Sequence, residues 1–277
     1  MRIARTPAEV RDALASAERP VGLVPTMGAL HAGHLALVTR AREECRTVAA
    51  SIFVNPLQFG PNEDFARYPR AFESDVAALR DAGVAVVYAP DVATMYPPAF
   101  ATEVDPGPVG SLYEGALRPG HFRGVATVCV KLFATFSPDR AYFGAKDAQQ
   151  VAVLRRVVAD LDLGLELVVV PTVREADGLA LSSRNVYLDP PQRAGAPALH
   201  RALAAIVDAV RGGETDRERA VARGRAALTD VDEAYLDVVD PHTFTPLDPL
   251  AGGGLAIGSV RFGSTRLIDN EPIGEAS

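Results

Sequence analysis

The sequence of 277 residues is poor in cysteine. Cys45 and Cys129 are its two thiols, and neither belongs to a CxxC pair. Disulfide-stabilised folds and thiolate metal sites both need several cysteines at characteristic spacings. The sequence therefore indicates neither a disulfide framework nor a cysteine-bound metal. The chain is long enough to be held together by an ordinary hydrophobic core.

Positive charge and long apolar runs are also lacking. The net charge is −7, so the chain offers no general basic field to a nucleic acid or an anionic membrane. No run approaches the roughly 18 apolar residues of a membrane-spanning helix. The amino-terminal stretch MRIARTPAEVRDAL lacks the apolar core of a signal peptide. We expect a cytoplasmic protein that binds neither nucleic acids nor membranes. A local cationic pocket for a small anion is compatible with this balance.

What is present is an alternation of apolar strands and helical patterns. The predicted strands are Val21–Val24, Val48–Val54, Val84–Tyr88, Arg140–Phe143 and Leu165–Val170. The predicted helices cover about 7–17, 34–46, 72–82, 125–136 and 147–161. Near-continuous apolar strands that alternate with helices are typical of a parallel sheet covered on both faces. The sequence therefore predicts an α/β fold with a Rossmann-like, doubly wound parallel sheet.

The pattern changes after the stretch VREADGLALSSRNVYLDP. Helices rich in Ala and Arg are predicted at about 190–211 and 216–228, and strands near 234–239, 255–260 and 266–268. This succession predicts a smaller C-terminal α/β domain. We expect residues 1–175 to form the Rossmann-like domain and residues 176–277 to form the smaller one.

Polar loops follow several of the predicted strands. Thr26–His34 follows the first strand, Asn55–Gly60 the second, and Gly144–Asp147 a later one. Ligands of doubly wound sheets bind at the carboxyl ends of the strands. The sequence therefore predicts that these loops carry the functional site.

Two histidines in the first loop, His31 and His34, allow three interpretations. A zinc site of the HExxH type needs histidines at i and i+4 and a glutamate between them, whereas Ala32 and Gly33 stand here. A phosphate site is favoured, because helix N-terminal amides attract anions and imidazoles can donate to phosphate oxygens. The third interpretation is that the two rings only cap the helix and pack.

Other loops add polar groups that suit a nucleotide and its co-substrate. LSSRN (Leu181–Asn185) supplies two hydroxyls and a guanidinium, which suit a polyphosphate. FGAKDAQQ (Phe143–Gln150) supplies Lys146, Asp147 and Gln150 near a helix start. The amides of Asn55 and Gln58 suit hydroxyl and carboxylate groups. Taken singly, each stretch is also compatible with an ordinary turn, a solvated lysine or hydrogen bonds within a loop.

Together these stretches resemble a known family. PTMGALHAGH resembles the HxGH form of the HIGH motif of nucleotidylyltransferases and class I synthetases, and LSSRN resembles their KMSKS loop. With FVNPLQFGPNEDFARYPR, GHFRGV, FGAKDAQQ and PTVREADGLALSSRN, they resemble the pantothenate synthetase (pantoate–β-alanine ligase) family over about residues 20–190. Ala148, where relatives often carry an aromatic residue, is a peripheral difference.

The resemblance implies a two-step, ATP- and Mg²⁺-dependent ligase. The pantoate carboxylate would attack the α-phosphate of ATP to give pantoyl adenylate and pyrophosphate. The amine of β-alanine would then attack the acyl carbon and release AMP. The first domain would bind ATP and pantoate, the second would close over the site, and the protein would be a homodimer. A carboxylate has an ordinary pKa of about 4, so the first nucleophile needs no protein base.

The resemblance also assigns residues by position. His34 matches the residue usually assigned as proton donor, and His31 would also contact the phosphates. Lys146 would stabilise the pentacoordinate phosphate. Gln58 and Gln150 match pantoate contacts, Gln58 also lies near β-alanine, and Asn55 belongs to the same polar loop. Asp75 is a candidate Mg²⁺ ligand. The implied ATP contacts are Met27, Gly28, Ala29, Leu30, His31, Ala32, Gly33, His34, Gly144, Ala145, Lys146, Asp147, Val173, Leu181, Ser182, Ser183 and Arg184.

Two alternatives stay open at this point. A nucleotidyltransferase acting on a phosphorylated acceptor would share the fold and the HxGH loop. Its acceptor loops should carry additional Arg or Lys, whereas Asn55–Gly60 offers amides. A nucleotide-binding module without catalysis would not need His31, His34, Lys146 and Ser182–Arg184 together.

Overall fold

The computed structural model describes residues 1–61, 63–228, 231–250 and 253–274. The chain divides into two compact units. The first comprises Met1–Gly144 and Val153–Val170, and the second comprises Ala145–Ala152 and Pro171–Ser277. The sequence predicts a single division after residue 175. In the structure the segment 145–152 groups with the C-terminal residues as well.

A six-stranded parallel sheet forms the centre of the first unit. Its strands are β1 (Arg2–Ala4), β2 (Val21–Thr26), β3 (Thr47–Ile52), β4 (Val86–Tyr88), β5 (Arg140–Gly144) and β6 (Glu166–Val170). Their order across the sheet is β1-β4-β3-β2-β5-β6, and all neighbouring pairs are parallel. The chain thus moves outward from β2 in one direction through β3 and β4, and then in the other through β5 and β6. The switch point lies between β2 and β5, where sheets of this kind bind ligands.

Helices connect these strands. They are α1 (Pro7–Leu14), α2 (Ala32–Glu44), α3 (Phe72–Asp81), α4 (Val92–Met95), α5 (Glu114–Leu117), α6 (His121–Phe136) and α7 (Ala148–Asp160). The start of α1 is fixed by a reciprocal capping box, in which Thr6 and Glu9 each accept the other's backbone N–H. The apolar side of α2 is buried against the sheet, with Leu37, Val38 and Ala41 in one cluster with strand residues such as Val24. The predicted doubly wound α/β fold is confirmed.

The second unit contains a three-stranded antiparallel sheet and three helices among its described residues. The helices are α8 (Pro190–Gly195), α9 (Ala198–Arg211) and α10 (Arg217–Arg225), and the strands are β7 (Asp232–Val239), β8 (Gly254–Phe262) and β9 (Thr265–Ile273). One side of α9 is buried, with Leu199, Leu203 and Ile206 in a cluster with sheet residues. The helix predicted over 190–211 is interrupted near Pro197, because a proline has no N–H to continue a helix.

Candidate active site

The loop between β2 and α2 is held by its neighbours at both ends. Thr26 Oγ1 donates to the carbonyl of Ser51 at 2.6 Å and accepts the N–H of Gly28 at 3.1 Å. Beyond this turn the backbone enters the left-handed region, with φ of 83° at Gly28 and 51° at Ala29. Two successive residues with positive φ turn the chain sharply, so the following amides point away from the strand. Glycine tolerates this conformation, whereas alanine requires external support.

Asp75 of α3 supplies that support. Its Oδ2 accepts the N–H of Ala29 and its Oδ1 accepts the N–H of Leu30, both at 2.8 Å. The residue is 3% exposed, so its carboxylate is turned inward onto the loop. A Cβ on Gly28 would lie 2.9 Å from Asp75 Oδ2, which explains a glycine at this position. Asp75 therefore defines the path of the loop that leads into His31.

The two histidines cap the helix that follows. His31 is the N-cap of α2, and its Nδ1 accepts the N–H of Gly33 at 3.1 Å. His34 Nδ1 accepts the N–H of His31 at 3.3 Å, so the two rings form a reciprocal capping box with centroids 4.1 Å apart. A ring nitrogen that accepts a hydrogen bond carries no proton. In the neutral rings the protons are therefore on Nε2, and each imidazole is a donor there.

The second loop, after β3, is built around the side chains of Asn55 and Gln58. Asn55 Nδ2 donates to Gln58 Oε1 at 3.0 Å and to the carbonyl of Gly124 at 3.1 Å. Asn55 Oδ1 accepts the N–H of Leu57 at 3.2 Å and the hydroxyl of Tyr96 at 2.7 Å. Asn55 is 1% exposed and Gln58 is 9% exposed. The loop is thus tied to both α6 and the segment after α4.

The first two loops meet at one point. Gln58 Nε2 lies 3.1 Å from the sulfur of Met27, the residue that directly follows Thr26 at the end of β2. Because β2 and β3 are adjacent in the sheet, the loops at their carboxyl ends are neighbours. The structure therefore brings Met27–His34 together with Asn55 and Gln58, as the sequence predicts for loops at one edge of a sheet.

The backbone of Gln58 is held by a charged cluster. Its carbonyl accepts from His121 Nδ1 at 2.8 Å and from Arg118 Nη2 at 3.1 Å. Arg118 also binds both carboxylate oxygens of Glu63 at 2.6 Å. Burial alone would raise the pKa of Glu63, but the hydrogen bond and charge of Arg118 outweigh it and hold this pKa below its ordinary value. The pair thus stays charged and fixes the position of Gln58.

A glycine lets α6 approach this loop. A Cβ on Gly124 would lie 2.3 Å from the carbonyl oxygen of Leu57 and 2.7 Å from the backbone nitrogen of Gln58. Both are backbone atoms, so no flexible side chain could move aside. The contact between α6 and the loop therefore requires glycine at residue 124.

The second unit positions the lysine of the FGAKDAQQ stretch. Asn270 of β9 donates through Nδ2 to the carbonyls of Ala145 and Lys146, both at 2.9 Å. Lys146 Nζ lies 3.3 Å from Asp147 Oδ1, and the lysine side chain is 18% exposed. Gln150 is half-buried in the first turn of α7. The strand β9 thus sets the course of the backbone that carries Lys146.

The same unit brings Val173 to the LSSRN stretch. The N–H of Leu181 donates to the carbonyl of Val173 at 3.0 Å, next to an antiparallel bridge between Arg174 and Ala180. Ser182 is the N-cap of a 3₁₀ turn, Ser183–Tyr187, and its Oγ accepts the N–H of Arg184 at 3.3 Å. Val173 and Leu181–Arg184 therefore form one local structure, closed by a short hairpin.

Several residues that shape the site lack a role in the sequence-based prediction. Tyr96 lies in a stretch rich in Pro and Gly without a periodic pattern, and Asn270 lies in a strand of the C-terminal region. His121 lies within the quoted motif GHFRGV and Arg118 precedes it by two residues, but the resemblance assigns neither of them a function. A hydrogen-bond partner far along the chain leaves no local signal, so only the fold reveals it.

The fold and the loop together define a class. A Rossmann-like sheet with an HxGH sequence between a central strand and the following helix is characteristic of the HxGH nucleotidylyltransferase superfamily. Among the described residues, no helix is long and apolar enough to span a membrane.

Within that class, the profile of the family Pantoate-beta-alanine ligase matches residues 2–272. The chain belongs to this family, and it is an enzyme of the AMP-forming ligase class. A pantothenate synthetase of Chloroflexus aggregans is 53% identical over 274 residues, which are 98% of this chain and 99% of the relative. One of Thermus thermophilus is 54% identical over 98% of both chains.

Solved structures agree with this assignment. A crystal structure of pantothenate synthetase from Thermus thermophilus superimposes with a TM-score of 0.94 at 52% identity and covers 99% of this chain and 100% of its own. A pantoate-β-alanine ligase from Francisella tularensis, described as complexed with β-γ ATP and β-alanine, has a TM-score of 0.76 at 31% identity. It covers 98% of this chain and 97% of its own.

Proposed function

We propose that this enzyme condenses pantoate with β-alanine at the expense of ATP, through a pantoyl adenylate, and releases pyrophosphate and AMP. The proposal rests on the family and on the Francisella relative, whose structure is described as holding an ATP compound and β-alanine. The observation that carries it is the pair His31 and His34. Their Nδ1 atoms accept backbone amides, so the proton of each neutral ring is on Nε2, the atom that we assign to the phosphates.

In the first step, a pantoate carboxylate oxygen attacks the α-phosphorus of ATP and pyrophosphate leaves. The carboxylate is ionised at neutral pH, so no protein base is needed. The protein's task is to hold the reactants in line and to stabilise the charge that develops on the phosphoryl oxygens. We assign the Nε2–H donors of His31 and His34 and the ammonium of Lys146 to this charge. His34 acts here as a hydrogen-bond donor from neutral imidazole.

The remaining nucleotide contacts follow the family resemblance. The loop 27–34 is assigned to the phosphates because it directly precedes the N-terminus of α2, where the helix dipole favours an anion. The hydroxyls of Ser182 and Ser183 and the guanidinium of Arg184 suit the departing pyrophosphate. We assign the adenosine to Val173 and Leu181, which the local hairpin brings together.

Pantoate is assigned to the glutamine side chains. Gln58 is fixed by hydrogen bonds to both its backbone and its side chain, so it can select an orientation of the substrate. Gln150 is the second candidate contact. Neutral amides suit an uncharged polyol acid better than a phosphorylated acceptor. This favours the ligase over a nucleotidyltransferase.

In the second step, the neutral amine of β-alanine attacks the acyl carbon of pantoyl adenylate. The bond between this carbon and the phosphate oxygen breaks, AMP leaves, and the amine loses a proton as the amide forms. No covalent enzyme intermediate is required. Gln58 is the residue that we place near β-alanine.

Mg²⁺ is the ion that ATP chemistry of this kind employs, and it neutralises phosphate charge when bound. Each oxygen of Asp75 accepts one loop amide at 2.8 Å and keeps a second lone pair, so its contact with Mg²⁺ stays a prediction. We assign Mg²⁺ to the ATP phosphates and derive no step from it.

The proposal is tested by supplying substrates in order. With ATP and Mg²⁺, pantoate alone should cause pyrophosphate release, and AMP should appear only when β-alanine is added. His34→Ala should slow pyrophosphate release by about 100-fold or more while the protein stays folded, since loss of one such donor costs about 2.7–4 kcal/mol of barrier. Pyrophosphate release that depends on a phosphorylated acceptor instead would favour the nucleotidyltransferase. Nucleotide binding without turnover over a range of acids and amines would favour a binding module.

A further inference from the structure

The side-chain amide of Asn55 has all of its hydrogen-bonding capacity engaged inside the protein. An amide offers two donor protons and two acceptor lone pairs. Nδ2 donates to Gln58 Oε1 and to the carbonyl of Gly124, and Oδ1 accepts from Leu57 N–H and from the hydroxyl of Tyr96. Asn55 therefore has no donor or acceptor left for a substrate, although it stands in the substrate-binding loop.

The orientation of this amide is unambiguous. A backbone carbonyl can only accept, and a backbone N–H can only donate. Because Asn55 faces the carbonyl of Gly124 on one side and the N–H of Leu57 on the other, Nδ2 and Oδ1 cannot be exchanged. It follows that Asn55 donates to Gln58 and that Tyr96 donates to Asn55.

This orientation determines that of Gln58. The oxygen Oε1 must face the donor Asn55 Nδ2, so the NH₂ group of Gln58 is directed to the other side, where Nε2 lies 3.1 Å from Met27 Sδ. A thioether is a weak acceptor, and among the described residues it is the hydrogen-bond partner of Nε2. The NH₂ group carries two protons, so it can donate to an incoming oxygen atom.

Tyr96 is built to keep its hydroxyl in place. Its ring packs at a tilt against Phe100, with centroids 4.9 Å apart, and against Phe53, with centroids 6.0 Å apart, and Lys131 Nζ lies 5.9 Å from the ring centroid. Burial raises the pKa of the Tyr96 phenol, which keeps the hydroxyl protonated at neutral pH. A protonated phenol beside an amide oxygen is a donor, as the orientation of Asn55 requires.

We propose that Tyr96 and Asn55 are positioning residues that fix the Gln58 amide with its NH₂ group toward the substrate. Gln58 then selects for an oxygen of pantoate that accepts a hydrogen bond, a carboxylate or the lone pair of a hydroxyl. This inference rests on the proposed function for the identity of the substrate. The fixed orientation of the amide does not depend on it.

The kinetic test uses Tyr96→Phe, which removes one hydroxyl and keeps the ring. Pyrophosphate release is measured against pantoate and, separately, against ATP. We expect the half-saturating pantoate concentration to rise by about 2- to 10-fold, which is what the loss of one neutral hydrogen bond typically costs in affinity. The half-saturating ATP concentration should stay unchanged. Tyr142→Phe is the matched control. It removes a buried hydroxyl of the same unit that bonds Glu44 and Cys45, and it should change neither value.

Asn55→Asp is the stronger variant. A carboxyl group provides at most one donor where the amide provides two, so it favours a turned Gln58 that presents Oε1 to the substrate. We expect a larger rise in the pantoate requirement than in Tyr96→Phe, about 10-fold or more, because the substrate oxygen then faces an acceptor. Thermal unfolding of each variant distinguishes this effect from loss of the fold.

The orientation is tested without substrate by ¹⁵N–¹H spectra of the side-chain amides, with the Gln58 pair assigned from its absence in Gln58→Glu. Shifts of this pair in Tyr96→Phe and Asn55→Asp, but not in Tyr142→Phe, support the inference together with the kinetic changes. An unchanged Gln58 pair in both variants overturns it. Shifted amides with an unchanged pantoate requirement support the positioning roles and overturn the placement of pantoate at Gln58, which is the failure of the proposed function.

Discussion

Gly124→Ala is a sharp test of how the loop 55–58 is held. The added Cβ would lie 2.3 Å from Leu57 O, 2.4 Å from Leu57 C and 2.7 Å from Gln58 N. Ordinary van der Waals contact begins at 3.4 Å, so the loop or α6 must shift by about 1 Å. Because all three atoms belong to the backbone, a change of rotamer cannot relieve the clash.

The shift should affect activity more than stability. Overpacking of a well-packed contact typically costs about 1–3 kcal/mol, and the higher helix propensity of alanine returns up to about 1 kcal/mol in the interior of α6. The free energy of unfolding should thus fall by no more than about 3 kcal/mol. A displacement of about 1 Å at a substrate-positioning residue can cost on the order of 100-fold in rate. We expect kcat/KM for pantoate to fall by about 10- to 100-fold.

Pyrophosphate release and urea unfolding would be measured on the same preparations. Gly164→Ala is the matched control, since its added Cβ meets nothing within 4 Å and Gly164 is exposed. It should change neither value. If Gly124→Ala kept wild-type kcat/KM for pantoate, the loop would not be held by close contact with α6. An equal loss with every substrate and a collapse of unfolding free energy would show a general packing defect.

Three further changes test other parts of the site. Asp75→Asn turns one acceptor of the loop amides into a donor, which should slow pyrophosphate release while leaving its Mg²⁺ dependence unchanged; a markedly higher Mg²⁺ requirement would make Asp75 a metal ligand instead. Asn270→Leu removes both hydrogen bonds to the backbone around Lys146, which should lower the free energy of unfolding by about 1–3 kcal/mol. It should slow pyrophosphate release more than AMP formation from preformed pantoyl adenylate. Equal slowing of both steps would show that the effect does not act through Lys146. Glu63→Gln removes a carboxylate whose pKa is lowered in the folded state, so the stability it contributes is present above the ordinary glutamate pKa of about 4.3 and is lost as pH falls through the folded-state value. Urea unfolding should therefore show a deficit of about 1 kcal/mol at pH 7 that shrinks at pH 4 and below, and a deficit independent of pH would exclude the ion pair as its cause.

The parallel sheet is predictable from sequence where its strands are apolar throughout. Strands β2 and β6 and the helix α3 are predicted to within two residues, because burial on both faces or on one side leaves a strong pattern. Strand β1 is absent from the prediction. It has three residues and exists because Arg2–Ala4 pair with Val86–Tyr88, a contact that no local pattern encodes.

The candidate site shows the same limit. The motifs predict His31, His34 and Gln58 as site residues, since their residue types suit phosphates and polyols. They do not reveal that each histidine ring caps α2 through Nδ1 and carries its proton on Nε2. The sequence names the residue but does not show which ring nitrogen serves which purpose. They also do not separate Gln58, which has a donor to offer, from Asn55, whose amide is fully engaged. That distinction depends on Tyr96, which lies 41 residues further along the chain.

The grouping of residues 145–152 with the C-terminal residues has a consequence for engineering. The chain passes from one unit to the other after residues 144, 152 and 170. A fragment that begins at residue 171 would lack the carbonyls that Asn270 binds, and a fragment that ends at residue 170 would carry Lys146 without that support. Neither half is therefore a sound unit for separate expression, fusion or exchange between relatives. An exposed turn such as Gly212–Gly213, which begins and ends within one unit, is the better place to insert a reporter.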